Sequence, residues 1–346
     1  MLSKLLSVSL ICLAINAMAE SPTELIVYNW PDYLEPEVIQ EFEQRFNAKV
    51  NQAYFESDDA RNKMLFRTNG KGYDVILTTG EDVDNYQKRG WILPLGEEKV
   101  PNLKYAMSRW VDAWPETKNY AVPYLWGTTG IIYRADLVKE EVTSWKQLYQ
   151  PEDYLKGKIL LLDIHRSIIG LALKSLGYPF NSENMKELAE AEKLLLNLKP
   201  HVQAFDTFGM DETAGIVTGA TLMGQGWNGD ALVLQELNPN IQYVVPKEGT
   251  ELWVDYFVVS SQSKVPELAM QFVNFMQEPK INARTAEEYS FAATNTEAKK
   301  YLSQEHLNNP IIYPDEMVLA NSEFDIPPSS SRVKRKFIMI WSKLTH

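Results

Sequence analysis

Residues 120–134, YAVPYLWGTTGIIYR, read as one long extended segment punctuated by Gly127 and Gly130. On either side of it, short apolar strands alternate with amphipathic helices, the pattern of an α/β sheet fold. The segment is therefore a candidate crossing between two lobes. Upstream, residues 25–28 predict a strand running into Asn29-Trp30-Pro31. A helix follows from Pro36, with Val38, Phe42 and Phe46 at four-residue spacing on one face. Residues 49–55 and 73–79 predict two more strands, with a helix between them around Met64 and Leu65. Downstream, residues 158–163 predict a buried strand and then a helix ending at Gly177, and Ser182 is the expected N-cap of a helix running to Leu198. Strands are expected at 241–245 and 253–259 and a helix at 266–277. The last helix carries an apolar stripe of Val333, Phe337, Ile340 and Leu344, with Arg332, Lys334, Arg335 and Lys336 on its solvated face.

The chain has 346 residues, enough for two ordinary domains, and its 45% hydrophobic and 23% charged content is that of a folded protein. The net charge of −12 argues against a nucleic-acid binder, which needs a basic surface, and suits a cationic ligand. Residues 1–19 combine Lys4, an apolar stretch too short to span a bilayer and an Ala17-Met18-Ala19 cleavage signal, so they read as an export leader. The only cysteine, Cys12, falls inside that leader, behind a bulky Ile11 that a lipoprotein site would not favour. The mature chain would hold 327 residues without a cysteine, which fits a bacterial periplasm.

Bond-making chemistry is not legible. His165, His201, His306 and His346 stand far apart with no metal-ligand spacing, so neither a metal nor a cofactor is expected. Residues 224–229, GQGWNG, match a dinucleotide-binding glycine pattern formally, but the Trp inside the loop favours a turn that presents Trp227 to a cleft. Ser261-x-x-Lys264 lacks its Lys-Thr-Gly partner and reads as a capping segment before Pro266. What recurs is an aromatic ring beside a carboxylate: Trp30 with Asp32 and Tyr33, Trp227 with Asp230, and Trp253 with Asp255. Trp253 and Asp255 are two apart on a strand and share a face. A ring face and a carboxylate together suit an alkylammonium ion, since the carboxylate accepts its N–H bonds and the ring attracts its charge.

The motifs Tyr28-Asn29-Trp30-Pro31-Asp32-Tyr33, Pro123-Tyr124-Leu125-Trp126-Gly127-Thr128, Trp227-Asn228-Gly229 and Pro246-Lys247-Glu248-Gly249 with Trp253-x-Asp255 resemble the periplasmic spermidine/putrescine-binding proteins. The resemblance implies a two-lobe periplasmic binding protein fold of type II, closing like a hinge over a central cleft. It implies one lobe from residues 20–128 with about 256–300, and another from about 129–255 with 301–346. Trp30 and Tyr33 would lie along the ligand's methylenes with Asp32 at an amine. Trp227 and Trp253 would form opposite walls, and Asp255 would take the deepest nitrogen. Phe291 stands where the family usually has a Tyr.

Two positions at which the family carries acids read Ile164 and Ser167 here, while Thr79-Gly80-Glu81 replaces a serine-x-tyrosine pattern and Asp325 replaces a common glutamine. Amine contacts are therefore expected at Asp32, Glu81 and Asp325, with Asp163 as either a contact or a structural acid. The implied protein is a monomeric receptor delivering a polyamine to an ABC importer. Alternatives are an accessory protein of the norspermidine-sensing branch, signalling to a membrane cyclic-di-GMP receptor, and a carbohydrate-active enzyme built on Trp platforms and paired carboxylates.

Overall fold

The computed structural model describes residues 21–346, so the expected leader and Cys12 lie outside the described residues. Eleven strands form one curled sheet: β1 (Thr23–Asn29), β2 (Ala48–Tyr54), β3 (Val75–Thr79), β4 (Val122–Arg134), β5 (Ile159–Leu161), β6 (Val202–Phe205), β7 (Met223–Trp227), β8 (Ile241–Val244), β9 (Glu251–Val259), β10 (Ala292–Ala293) and β11 (Glu323–Phe324). Their main order is β2-β1-β3-β9-β4-β7-β5-β6, with β8 and β10 also on β4 and β11 on β9. The β1–β2, β1–β3, β5–β6 and β5–β7 pairs are parallel, whereas β9 runs antiparallel to both β3 and β4.

β4 is the crossing strand that its sequence suggests, and it is continuous through both glycines. Its first part pairs with β9 from Val122 to Thr128, and its second part pairs with β7 from Thr129 to Tyr133. The glycines do not interrupt the strand; they make room beside it. A Cβ on Gly127 would overlap the Trp253 ring and Asn228 Oδ1, and one on Gly130 would overlap the Tyr243 ring.

Two main buried cores lie on either side of this crossing. The first joins β1, β3 and the start of β4 to β9 and the helix Pro266–Met276, whose Phe272 and Phe275 meet Phe42 of the helix Pro36–Phe46. The second joins Ile131 and Tyr133 of β4 to the helices His165–Ser175 and Met185–Leu198 and to the full C-terminal stripe Val333, Phe337, Ile340 and Leu344. Arg332, Lys334 and Arg335 are exposed, while Lys336 bonds Glu192. Residues beyond 300 divide between the two cores: Leu302 and Ile312 are buried in the first, and Leu319 and Phe324 are packed against it. β9 likewise belongs to the first core from Leu252 onward. Asn184, rather than Ser182, caps the helix Met185–Leu198 by accepting from Lys186 N. Ser182 instead hydrogen-bonds Glu187 and accepts from Asn184 N.

Candidate functional site

The register of the sheet assembles the site. On β9, Glu251, Trp253 and Asp255 alternate with the buried Leu252 and Val254, so all three present one face. Across β4, Trp253 is opposite Gly127, and across β3, Asp255 is opposite Thr79. Trp227 at the end of β7 is opposite Thr129. Directly paired residues share a face, and Gly127 and Thr129 are two apart, so Trp253 and Trp227 stand on the same side of the sheet, one on each flank of β4. The two indoles thus belong to one surface.

The Trp253 ring meets Phe291 edge-on at 4.8 Å, and Tyr33 lies 6.0 Å from Phe291 and 5.3 Å from Tyr124. Phe291 also covers Gly229, where a Cβ would strike its ring. The Tyr33 hydroxyl donates to Asp255, and burial raises the Tyr33 hydroxyl well above its ordinary range. Burial also pushes the Asp255 carboxyl up to about 7; nearby Asp58 adds to the rise, while Tyr33 and Arg61 oppose it. Trp30 rests on Phe55 at 4.5 Å, and the Arg61 guanidinium lies 5.1 Å over the same Phe55 ring. These contacts link Trp30 to the Asp255 end. Asp32 occupies a left-handed turn with φ of 49° and is exposed to solvent.

The other expected acids are placed less uniformly. Glu81 lies in the first turn of the helix Gly80–Lys88, and its carboxyl is pushed up to about 7 by burial and by Asp82, with Arg166 opposing. Asp325 does not stand free. It holds Arg166 through both carboxylate oxygens, with a 2.7 Å bond from Arg166 Nε. Burial and the Asp206 charge raise the Asp163 carboxyl, and no hydrogen bond to its side chain is found among the described residues. Buried polar atoms without a protein partner gather near the rings: Thr79 Oγ1, Asn228 Nδ2 and Trp253 Nε1. A cavity of about 300 Å³ lies at Glu81, lined also by Asp82, His165, Arg166, Lys334 and Phe337; none of the ring residues Trp30, Trp227, Trp253 or Phe291 lines it.

Two participants were not anticipated. Glu251 is a buried acid two residues before Trp253; its Oε2 accepts from Ser167 Oγ at 2.5 Å and from Thr129 Oγ1 at 3.2 Å. Burial raises its carboxyl despite both donors and Arg166. Extending the Trp253/Asp255 alternation one step backward would have found it. Arg61, wholly buried, bonds Asp58 at 2.5 Å, Asp82 at 2.6 Å and the Tyr86 hydroxyl at 3.1 Å, and so fixes the helix that carries Glu81. Asp230, which the sequence sets beside Trp227, lies in the first turn of the helix Asn228–Leu237, and burial alone pushes its carboxyl up to about 7. Taken together, the surface offers ring faces and carboxyls short of positive partners. Such a surface can hold a flexible cation. Among the described residues no group of three or more His, Cys, Asp or Glu is arranged to hold a metal, and no helix is long and apolar enough to cross a membrane.

Comparison with known proteins places this geometry. Residues 37–312 match the family of bacterial extracellular solute-binding proteins. The chain is 31% identical to the spermidine/putrescine-binding periplasmic protein of Escherichia coli over 320 residues, covering 91% of this chain and 90% of that one. It is 29% identical to the putrescine-binding periplasmic protein SpuD of Pseudomonas aeruginosa, covering 95% and 93% of the two chains. Among solved structures, the spermidine/putrescine ABC transporter substrate-binding protein PotD of Streptococcus pneumoniae superposes with a TM-score of 0.82 at 26% identity, over 93% of this chain and 98% of that one. The chain therefore belongs to the bacterial extracellular solute-binding proteins, within the group that contains the spermidine/putrescine-binding periplasmic proteins, and has their two-lobe α/β fold.

Proposed function

We propose that this protein is a periplasmic polyamine receptor, a binding protein and not an enzyme, that closes over its ligand and presents it to an ABC importer. The observation that carries the reading is the Tyr33–Asp255–Trp253–Phe291 group: a carboxyl and three aromatic rings in mutual contact beside the crossing strand β4. The relatives, spermidine/putrescine- and putrescine-binding periplasmic proteins and an ABC transporter substrate-binding protein, point to the same ligand class and transporter type. An ammonium between Asp255 and the rings gains a charge-assisted hydrogen bond of about 1.5–3 kcal/mol and cation–π contacts of about 0.5–2 kcal/mol each. The apolar ring faces cover its methylenes. Thr79 and Glu81 extend the polar wall, Trp30 and Trp227 close its ends, and Asp325 acts through Arg166 and does not meet the amine. Closure follows if the ligand touches both lobes, since it then stabilises only the closed arrangement.

Norspermidine, spermidine and putrescine are the ligands to compare. A sensing role would use the same cleft, and no feature of the described residues favours it over delivery. Calorimetric titration with these polyamines and with a neutral sugar tests the reading. Micromolar or tighter binding of a polyamine, with none of the sugar, is the expected result. A sugar bound tightly with no response to any polyamine would refute it.

A further inference from the structure

We infer that Glu251 is a ligand-contacting residue that sets the length of cation this cleft accepts, favouring a triamine over a four-carbon diamine. The inference rests on the polyamine reading above. It starts from β9, where Glu251, Trp253 and Asp255 point the same way. At about 3.3 Å per residue, the two carboxylate-bearing positions lie roughly 13 Å apart along the strand, with the indole midway between them. A chain laid over that indole must carry charges about as far apart as the two acids. The end nitrogens of a triamine meet that spacing, whereas those of a four-carbon diamine fall well short of it.

The geometry of Glu251 fits a contact residue better than a purely structural acid. Both of its protein donors, Ser167 Oγ and Thr129 Oγ1, bond the same oxygen, Oε2, and no hydrogen bond reaches Oε1 among the described residues. Ser167 belongs to the helix His165–Ser175, and Thr129 to the part of β4 that pairs with β7. Glu251 thereby ties the first lobe's strand to the second lobe, at the point where a ligand bridging the lobes would lie. The nearest cation does not neutralise it. Arg166 spends its hydrogen bonds on Asp325 and on the Ile326 carbonyl, while the charges of Glu81, Glu251 and Glu183 also act on it. Four carboxyls thus share one guanidinium, with Lys334 lining the cavity at Glu81, which leaves room for a further positive charge. Asp82 is not part of this balance, because Arg61 and Asn62 hold it.

Glu251→Gln tests the idea, because the amide preserves size and still accepts from Ser167 and Thr129. Calorimetry on the full mature chain should show spermidine affinity reduced at least tenfold while putrescine changes less than twofold. A melting temperature within about two degrees of the parent would show that the fold is intact. Glu251→Asp, which keeps the charge but shortens its reach, should recover part of the spermidine affinity. Unchanged spermidine affinity in Glu251→Gln, or an equal loss for both ligands, overturns the inference while the receptor reading stands. Failure of the parent protein to bind any polyamine overturns both.

Discussion

At the scale of single residues, the candidate site is marked by buried carboxyls that make no ion pair of their own. Asp255, Glu81 and Asp230 are each pushed up to about 7, chiefly by burial. A free carboxyl raised in this way holds its proton near neutral pH, and an arriving ammonium must displace it. Polyamine affinity should therefore rise from pH 6 to pH 8, and binding near pH 7 should release protons, measurable as a dependence of calorimetric heat on the buffer's ionisation enthalpy. An affinity flat across that range would show that the acids near the ligand are already ionised. The same shifts act oppositely on the free protein. Folded-state values above the ordinary value near 4 mean that the native state holds more protons than the unfolded chain, so these groups weaken the ligand-free fold as pH rises from about 4 to about 7. Asp255→Asn and Trp253→Ala should each weaken polyamine binding at least tenfold in the same titration, with Asp255→Asn also flattening the pH dependence.

At the scale of elements, the sequence disclosed the strands and rings better than the polar network around them. β4, the flanking α/β units and the C-terminal apolar stripe were legible because periodicity and length report burial directly. Trp253 and Asp255 were legible because two-residue spacing on a strand guarantees a shared face. Glu251 obeys the same rule, but only its two hydroxyl partners, 84 and 122 residues away, reveal that it is held between β4 and the helix His165–Ser175. Asp325 was legible as an acid but not as the partner of Arg166, a contact made across 159 residues. Arg61 was invisible, since a lone arginine on a polar helix ordinarily faces water; here it is buried between Asp58 and Asp82. Arg61→Met would leave Asp82 without its buried cation, and a loss of about 3–5 kcal/mol in denaturant unfolding is expected. Gly127→Ala would drive a methyl into the Trp253 ring; overpacking of this kind costs about 1–3 kcal/mol. Weakened spermidine binding should accompany it, because the displaced ring is the one proposed to cover the ligand. A Gly127→Ala protein with parental affinity would place Trp253 outside the ligand's path.

At the scale of the whole molecule, the proposed receptor role couples ligand to lobes. Spermidine at 100 times its dissociation constant should stabilise the protein by about 2.7 kcal/mol, visible as a rise in melting temperature that the neutral sugar does not produce. Small-angle scattering should show a smaller radius of gyration on binding; an unchanged radius would mean that the lobes are already shut without ligand. One architectural fact bears on how the chain holds together under stress. β4 supplies Val122, Tyr124, Leu125 and Trp126 to one interior and Ile131 and Tyr133 to the other. Neither interior is complete without that single ribbon of backbone, and each is also stitched from segments distant in the chain. A cut anywhere along β4 would strip both interiors at once, so heat or protease should take the molecule apart in one cooperative event with no half surviving as a fragment.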